Sequence, residues 1–200
     1  ARLDGDDSGT WAHHVVRGAP NATIDGFEIA SGDAFGPGDD NGGGIYLSSG
    51  TLPLVVRDCA FSINRAQLHG GGIYAAGAIN VSGCTFNGNT TSLGTGHGGQ
   101  IHISGATGSI ADCTFITGLS QGIGGAIYVG GPGASATVKR CSFTWNGTND
   151  GGACIAVRDS AELIAVSCFV RESYGFGHNG GAFYCHNADL VVINCIVEAN

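Results

Sequence analysis

The sequence predicts an all-β chain wound as a right-handed parallel β-helix, a solenoid of about seven rungs with about 25–30 residues in each. Three observations predict it. First, six segments open on a glycine pair: Gly42-Gly43-Gly44-Ile45-Tyr46, Gly70-Gly71-Gly72-Ile73-Tyr74, Gly98-Gly99-Gln100-Ile101-His102, Gly124-Gly125-Ala126-Ile127-Tyr128, Gly151-Gly152-Ala153-Cys154-Ile155 and Gly180-Gly181-Ala182-Phe183-Tyr184. Their first glycines are 28, 28, 26, 27 and 29 residues apart. Second, each is followed by a cysteine with Phe or Val two residues on: Cys59/Phe61, Cys84/Phe86, Cys113/Phe115, Cys141/Phe143, Cys168/Val170 and Cys195/Val197. Third, the apolar runs are short and alternate with period two, as in Ile73-Tyr74-Ala75. A helical repeat needs amphipathic runs of about 10–12 residues, and glycine interrupts every run before that.

Taken in order, residues 1–41 read as an irregular opening rung and 42–200 as six regular ones, one domain in all. Within the opening rung, Ile24-Asp25-Gly26-Phe27-Glu28-Ile29 resembles a regular rung with Phe27 in the cysteine column. A rung of this length fits three short strands and three turns. Stacked at about 4.8 Å, seven rungs make a rod about 34 Å long. Equivalent residues then form ladders. Ile45, Ile73, Ile101, Ile127, Cys154 and Phe183 are expected to point inward, as are Leu47, Ala75, Ile103, Val129, Ala156 and Cys185. Cys59, Cys84, Cys113, Cys141, Cys168 and Cys195 form another inward ladder. Its Cβ atoms would stand about 4.8 Å apart, beyond the roughly 3.5–4.5 Å of a disulfide, so free thiols are expected. Zinc is not expected, since no Cys-x-x-Cys occurs. Three residues past the Phe/Val comes a column of Asn64, Asn89, Gly118, Asn146, Ser173 and Asn200, read as an asparagine ladder at a turn.

Composition narrows the function. Gly makes up 37 of 200 residues without a Gly-X-Y period, hydrophobic residues are 42% and charged ones 12%, which excludes collagen and disfavours disorder. Eight Lys plus Arg and a net charge of −8 argue against nucleic acid and anionic membranes as partners. No apolar run reaches the ~18 residues of a membrane-spanning helix. With no Met in it, the chain reads as a processed product or part of a longer one. Neither end shows a capping segment, and an uncapped end is a template for further strand pairing.

Four features carry candidate chemistry. Tyr46, Tyr74, His102, Tyr128 and Tyr184, with Ile155 between the last two, should form an outward aromatic stripe suited to sugar stacking or protein contact. The acidic turns of Asp4, Asp6 and Asp7 and of Asp39 and Asp40 are weak Ca²⁺ candidates; no other cofactor is expected. His69 and His97 share a turn column with Asn41, Ile123, Asp150 and Asn179, an incomplete metal site. Sequons occur at Asn21, Asn80, Asn89 and Asn146. A lyase would need clustered carboxylates and an Arg or Lys base on one outer strand, and the outward stripe supplies neither. Gly96-His97-Gly98 is present, but without Arg-x-Lys it makes no hydrolase site. No catalytic residue is assigned.

The paired signatures, Gly71-Gly72-Ile73 with Phe61…Asn64 and Phe86…Asn89, resemble the repeats of bacterial polymorphic outer membrane proteins. The opening Leu3-Asp4-Gly5-Asp6-Asp7, His14-Val15-Val16 and Ile24-Asp25-Gly26-Phe27 are similar to the first rung of secreted bacterial β-helix proteins of the pectate-lyase-like superfamily. Gly118 and Ser173 depart from the Asn, and Val170 and Val197 from the Phe. The resemblance implies an extracellular or cell-surface setting and membrane anchorage elsewhere. The expected function is a non-enzymatic structural or adhesive module that associates with itself, other surface proteins or glycans and stacks into a filament. A polysaccharide-binding or polysaccharide-degrading β-helix is the alternative.

Overall fold

A computed structural model of the chain describes residues 1–7, 10–36, 38, 40–177 and 179–200. It is a parallel β-solenoid of about seven turns, and no helix occurs among the described residues. Each full turn has four strands where three were expected. In one turn these are Ile73–Ala75, Ile79–Ser82, Thr85–Asn87 and the two-residue Thr90–Thr91. Across the turns they build parallel sheets of seven, seven, eight and six strands. Pairing is column on column: Phe61 on Phe86, Phe86 on Phe115, Phe115 on Phe143. Parallel pairing between turns is what satisfies the backbone N–H and C=O groups of strands this short.

The opening residues join the same scheme. Ala60 pairs with Glu28, which puts Phe27 in the Cys59 column, and Arg2–Asp4 adds a strand beyond it. Asp6–Asp7 and Thr10–Trp11 make the one antiparallel pair among the described residues. Inside, Phe61, Phe86, Phe115 and Phe143 are buried, and successive rings stack at 4.5, 4.9 and 4.9 Å. Burying each such side chain contributes roughly 1.5–3 kcal/mol.

Three left-handed corners per turn bend the chain back on itself. Glycine holds the first of them in every full turn but the other two only at Gly26, Gly83 and Gly88, which is why the sequence shows only the first. Asp58, Asp112, Arg140, Ser167 and Asn194 occupy a second corner, and Ile63, Thr117, Trp145 and Glu172 a third, all with φ near 50°. Such a backbone costs a non-glycine residue about 1–2 kcal/mol. The stack offsets this, since each of these corner N–H groups before the last turn reaches the next turn, as in Arg140 N to Val166 O at 3.0 Å and Thr117 N to Thr144 O at 3.2 Å.

One register differs from expectation. Ile127 pairs with Ile155, not Cys154, and Tyr128 pairs with Ala156, not Ile155. Val157, not Ala156, follows Val129, and Gly151, not Asp150, shares the histidine column. In this turn the left-handed glycine is the second of the pair, Gly152 (φ 64°), whereas Gly124 is the first of its pair (φ 71°). The spacing from the ladder is kept in three turns: Gly70 lies six residues after Asn64, Gly124 six after Gly118 and Gly152 six after Asn146.

All eight cysteines are free. Cys59, Cys84, Cys113, Cys141, Cys154 and Cys168 are buried, Cys195 is half-buried and Cys185 exposed. Burial pushes the Cys154 thiol up to about 12. With a bulky thiol reagent, the folded chain is expected to label at Cys185 and slowly at Cys195. Unfolded without reductant, it should titrate all eight; a lower count would contradict the free-thiol ladder.

Candidate functional site

The candidate site is the outward column of the Ile-Tyr strands together with the turn histidines beside it. Tyr46, Tyr74, His102 and Tyr128 are registered one above another. Their rings stack along the solenoid axis: His14 on Tyr46 at 4.8 Å, Tyr46 on Tyr74 at 5.5 Å, Tyr74 on His102 at 5.3 Å and His102 on Tyr128 at 4.6 Å. Ala156 then interrupts the column before Tyr184, whose ring lies beside His186.

This geometry corrects the expected stripe. Tyr46, Tyr74 and Tyr184 are half-buried, but His102 and Tyr128 are buried. The cover comes from the turn leading into Gly98. Asn64 is six residues before Gly70, whereas Asn89 is nine before Gly98. The longer turn brings His97 against Tyr128 at 4.8 Å and against His69 at 5.4 Å, while His69 packs on His102 at 4.4 Å. Between the stacked neighbours, ring faces are occupied, and what reaches the surface is ring edges and hydroxyls. Sugar stacking needs a free face.

The three imidazoles differ in their hydrogen bonds. His97 N donates to His69 Nδ1 at 3.2 Å, and Ile123 N donates to His97 Nδ1 at 3.3 Å. These acceptor nitrogens are neutral, with the proton on Nε2. His102 is the opposite tautomer, its Nδ1–H donating to the His97 carbonyl at 3.3 Å. Burial first, and then the His97 charge, lower His69 to about 4. Burial also lowers His97, with Arg158 adding to it, and holds His102 well below the usual range. Tyr128 is pushed up to about 12 by burial and then by Asp159, whose carboxylate accepts its hydroxyl at 3.4 Å. A surface cleft of about 510 Å³ opens beside this cluster, lined by His69, His97, His102, Ser104, Tyr128 and Asp159 among others.

Nearly parallel stacked rings do not aim their nitrogens at one point. Among the described residues no group of three His, Cys, Asp or Glu is arranged to hold a metal ion. Of the acidic turns, Asp4 accepts from Arg2 Nε at 2.8 Å and from Asp6 N at 3.2 Å, and Asp40 accepts from Gly36 N at 3.3 Å. The side chain of Asp7, and Asp39 as a whole, lie outside what is described.

The asparagine ladder is buried from Asn64 to Ser173 and runs on to the exposed Asn200, and it contains a residue that stands outside the asparagine column. Asn64 Nδ2 donates to Asn89 Oδ1 at 2.8 Å, and Asn89 Nδ2 to Gln100 Oε1 at 2.7 Å. Gln100 Nε2 donates to the Ile116 carbonyl at 2.9 Å and to Asn146 Oδ1 at 3.3 Å. Asn146 N then donates to Ser173 Oγ, and Ser173 N to Asn200 Oδ1. Gln100 thus reaches in from the neighbouring sheet to fill the place Gly118 leaves. The facing positions compensate: Gly44 faces Asn64, Gly72 faces Asn89, and Gln100 faces Gly118. The signal was in the sequence, since the one large residue among Gly44, Gly72, Gln100 and Ala126 belongs to the turn whose ladder residue is glycine.

The fold and its ladders place the chain among parallel β-solenoid proteins. Over 155 residues it is 27% identical to the metabotropic glutamate receptor-like protein R of Dictyostelium discoideum, a stretch covering 75% of this chain and 9% of that protein. The chain therefore spans less than a tenth of that relative's length. No family model and no solved structure matches it, so the likeness to polymorphic outer membrane and pectate-lyase-like repeats stays one of pattern.

Proposed function

We propose that the chain is a non-enzymatic structural and adhesive β-helix module that works outside the cell or at its surface. The ring-on-ring packing of the outward column carries this reading. Residues that recur in nearly every turn have their ring faces against one another, so the repeat serves the stack. The outermost strands Phe183–His186, Asp189–Ile193 and Ile196–Glu198 each have one parallel neighbour, and Val191, Val192, Ile193, Ile196 and Val197 are exposed there. A further parallel turn, of the same chain or of a neighbouring one, would cover that edge.

Protease shaving of intact cells tests the setting. The module's peptides should be released without lysis; their appearance only after lysis would contradict it. A polysaccharide-binding reading is favoured by a different set of aromatic residues, described below. Incubation with polygalacturonate separates binding from cleavage, because a lyase would generate the ultraviolet absorbance of unsaturated uronides.

A further inference from the structure

The rings of the Tyr/His column cover one another, but three other aromatic residues lie open. Trp145 is 53% exposed, Tyr174 43% and Phe176 77%, with Leu119 beside them at 37%. Leu119 and Tyr174 lie in the short-strand sheet, Trp145 in the corner that leads into it and Phe176 just past its last strand. Leu119, Gly147 and Tyr174 are in register on successive turns. Trp145 precedes Gly147 by two residues, and Phe176 follows Tyr174 by two. Gly147 has no side chain, and a Cβ there would meet Tyr174 at 2.7 Å and Leu119 at 2.8 Å, so the two side chains close over its backbone. Tyr174 and Phe176 meet edge to face, 5.4 Å apart at 72°, unlike the near-parallel column. Trp145 stacks on no other ring among the described residues. The adjoining charges are opposite, Arg171 lying 3.5 Å from Glu172.

We propose that this face binds a neutral polysaccharide, with pyranose rings laid on Trp145, Tyr174 and Phe176. The inference rests on the adhesive reading above and names its ligand class. Open aromatic faces with polar edges suit the C–H faces of a sugar ring, which the Tyr/His column cannot offer. A chain of net charge −8 with its nearby charges paired has no field to attract an acidic polysaccharide. Size favours a glycan over a protein. At these exposures the four side chains present roughly 400 Å² of apolar surface, about half the ~800 Å² per partner of a stable protein interface.

Calorimetry of the full chain with cellohexaose, laminarihexaose and mannohexaose tests this, with polygalacturonate as the charged comparison. Saturable binding of at least one neutral oligosaccharide is expected, weakened at least tenfold by Trp145→Ala and by Tyr174→Ala. Tyr46→Ala should leave it unchanged. Both site residues are exposed, so circular dichroism melts of the two variants should match the parent, which excludes misfolding as the cause. Absence of heat with all three neutral sugars would overturn the proposal, as would undiminished binding by Trp145→Ala. Self-association that Trp145→Ala abolishes would overturn it in favour of a protein contact. Failure of the broader extracellular reading shows separately, in the shaving experiment.

Discussion

Replacing Gln100 with Gly is expected to destabilise the chain by about 2–4 kcal/mol, although glycine is what the preceding two turns carry at that repeat position. The side chain is fully buried and makes its hydrogen bonds inside the ladder. Without it, Asn89 Nδ2 loses one acceptor, and the Ile116 carbonyl and Asn146 Oδ1 each lose one of their donors, in a site too enclosed for bulk water to replace them. Gly118→Asn alone should also destabilise, because a Cβ at that position would lie 2.4 Å from Gln100 Cγ. The double variant Gln100→Gly with Gly118→Asn recreates the arrangement of the Asn64 and Asn89 turns and should recover most of the loss. Recovery stays short of complete because the Gly125 carbonyl oxygen, 2.6 Å from the same point, has to shift. Urea unfolding of the four proteins checks this as a double-mutant cycle. Additive losses would show that the two residues do not exchange roles.

Acid is expected to weaken the fold across the histidine window. The folded-state values of His69, His97 and His102 are depressed, His69 to about 4 from an ordinary 6.5. Between those limits the unfolded chain binds protons that the folded chain refuses, so stability rises with pH. The contribution is whole above pH 6.5 and is lost as pH falls toward 4. For His69 alone it is on the order of 3 kcal/mol. Protonation would also remove the Nδ1 acceptors that receive His97 N and Ile123 N. Asp4 and Asp112, whose carboxyls are lowered by the Asp6 N–H and by Arg140 respectively, act at the acid end of this range and below it. Unfolding midpoints measured at pH 7.5, 6 and 5 should fall steadily, and His69→Gln should flatten the slope. A midpoint constant from 7.5 to 5 would contradict the buried neutral cluster.

Much of the fold was legible because a solenoid repeats its instructions. Ile-Tyr alternation, the Cys-x-Phe signature and the spacing of Asn64, Asn89 and Asn146 each name a column, and stacking turns columns into ladders. What was not legible falls where one turn departs from the others. In Gly151-Gly152-Ala153 either glycine can take the left-handed corner, and the choice is made by pairing with the neighbouring turns, which a local motif does not encode. Gln100 replaces an asparagine from a different strand, so it is found by comparing facing columns, not by aligning one. The left-handed corners at Ile63, Thr117 and Trp145 hold residue types that give no turn signal, because inter-turn hydrogen bonds and not propensity hold them there. The candidate site was half legible. The sequence placed Tyr46, Tyr74, His102 and Tyr128 on one side, but whether their faces are free depends on spacing along the axis and on the length of the turn carrying His97. Trp145, Tyr174 and Phe176 share no repeat position, and so no pattern singled them out.

The claim that the outward tyrosines hold the stack and leave ligand capture to other residues is tested most directly by one paired measurement on Tyr74→Ala. Tyr74 lies between Tyr46 and His102. Loss of both ring contacts should lower stability by about 1–2 kcal/mol, while glycan binding by the folded chain stays as in the parent. Unchanged stability together with lost glycan binding would contradict the account and return the column to the role of a ligand face.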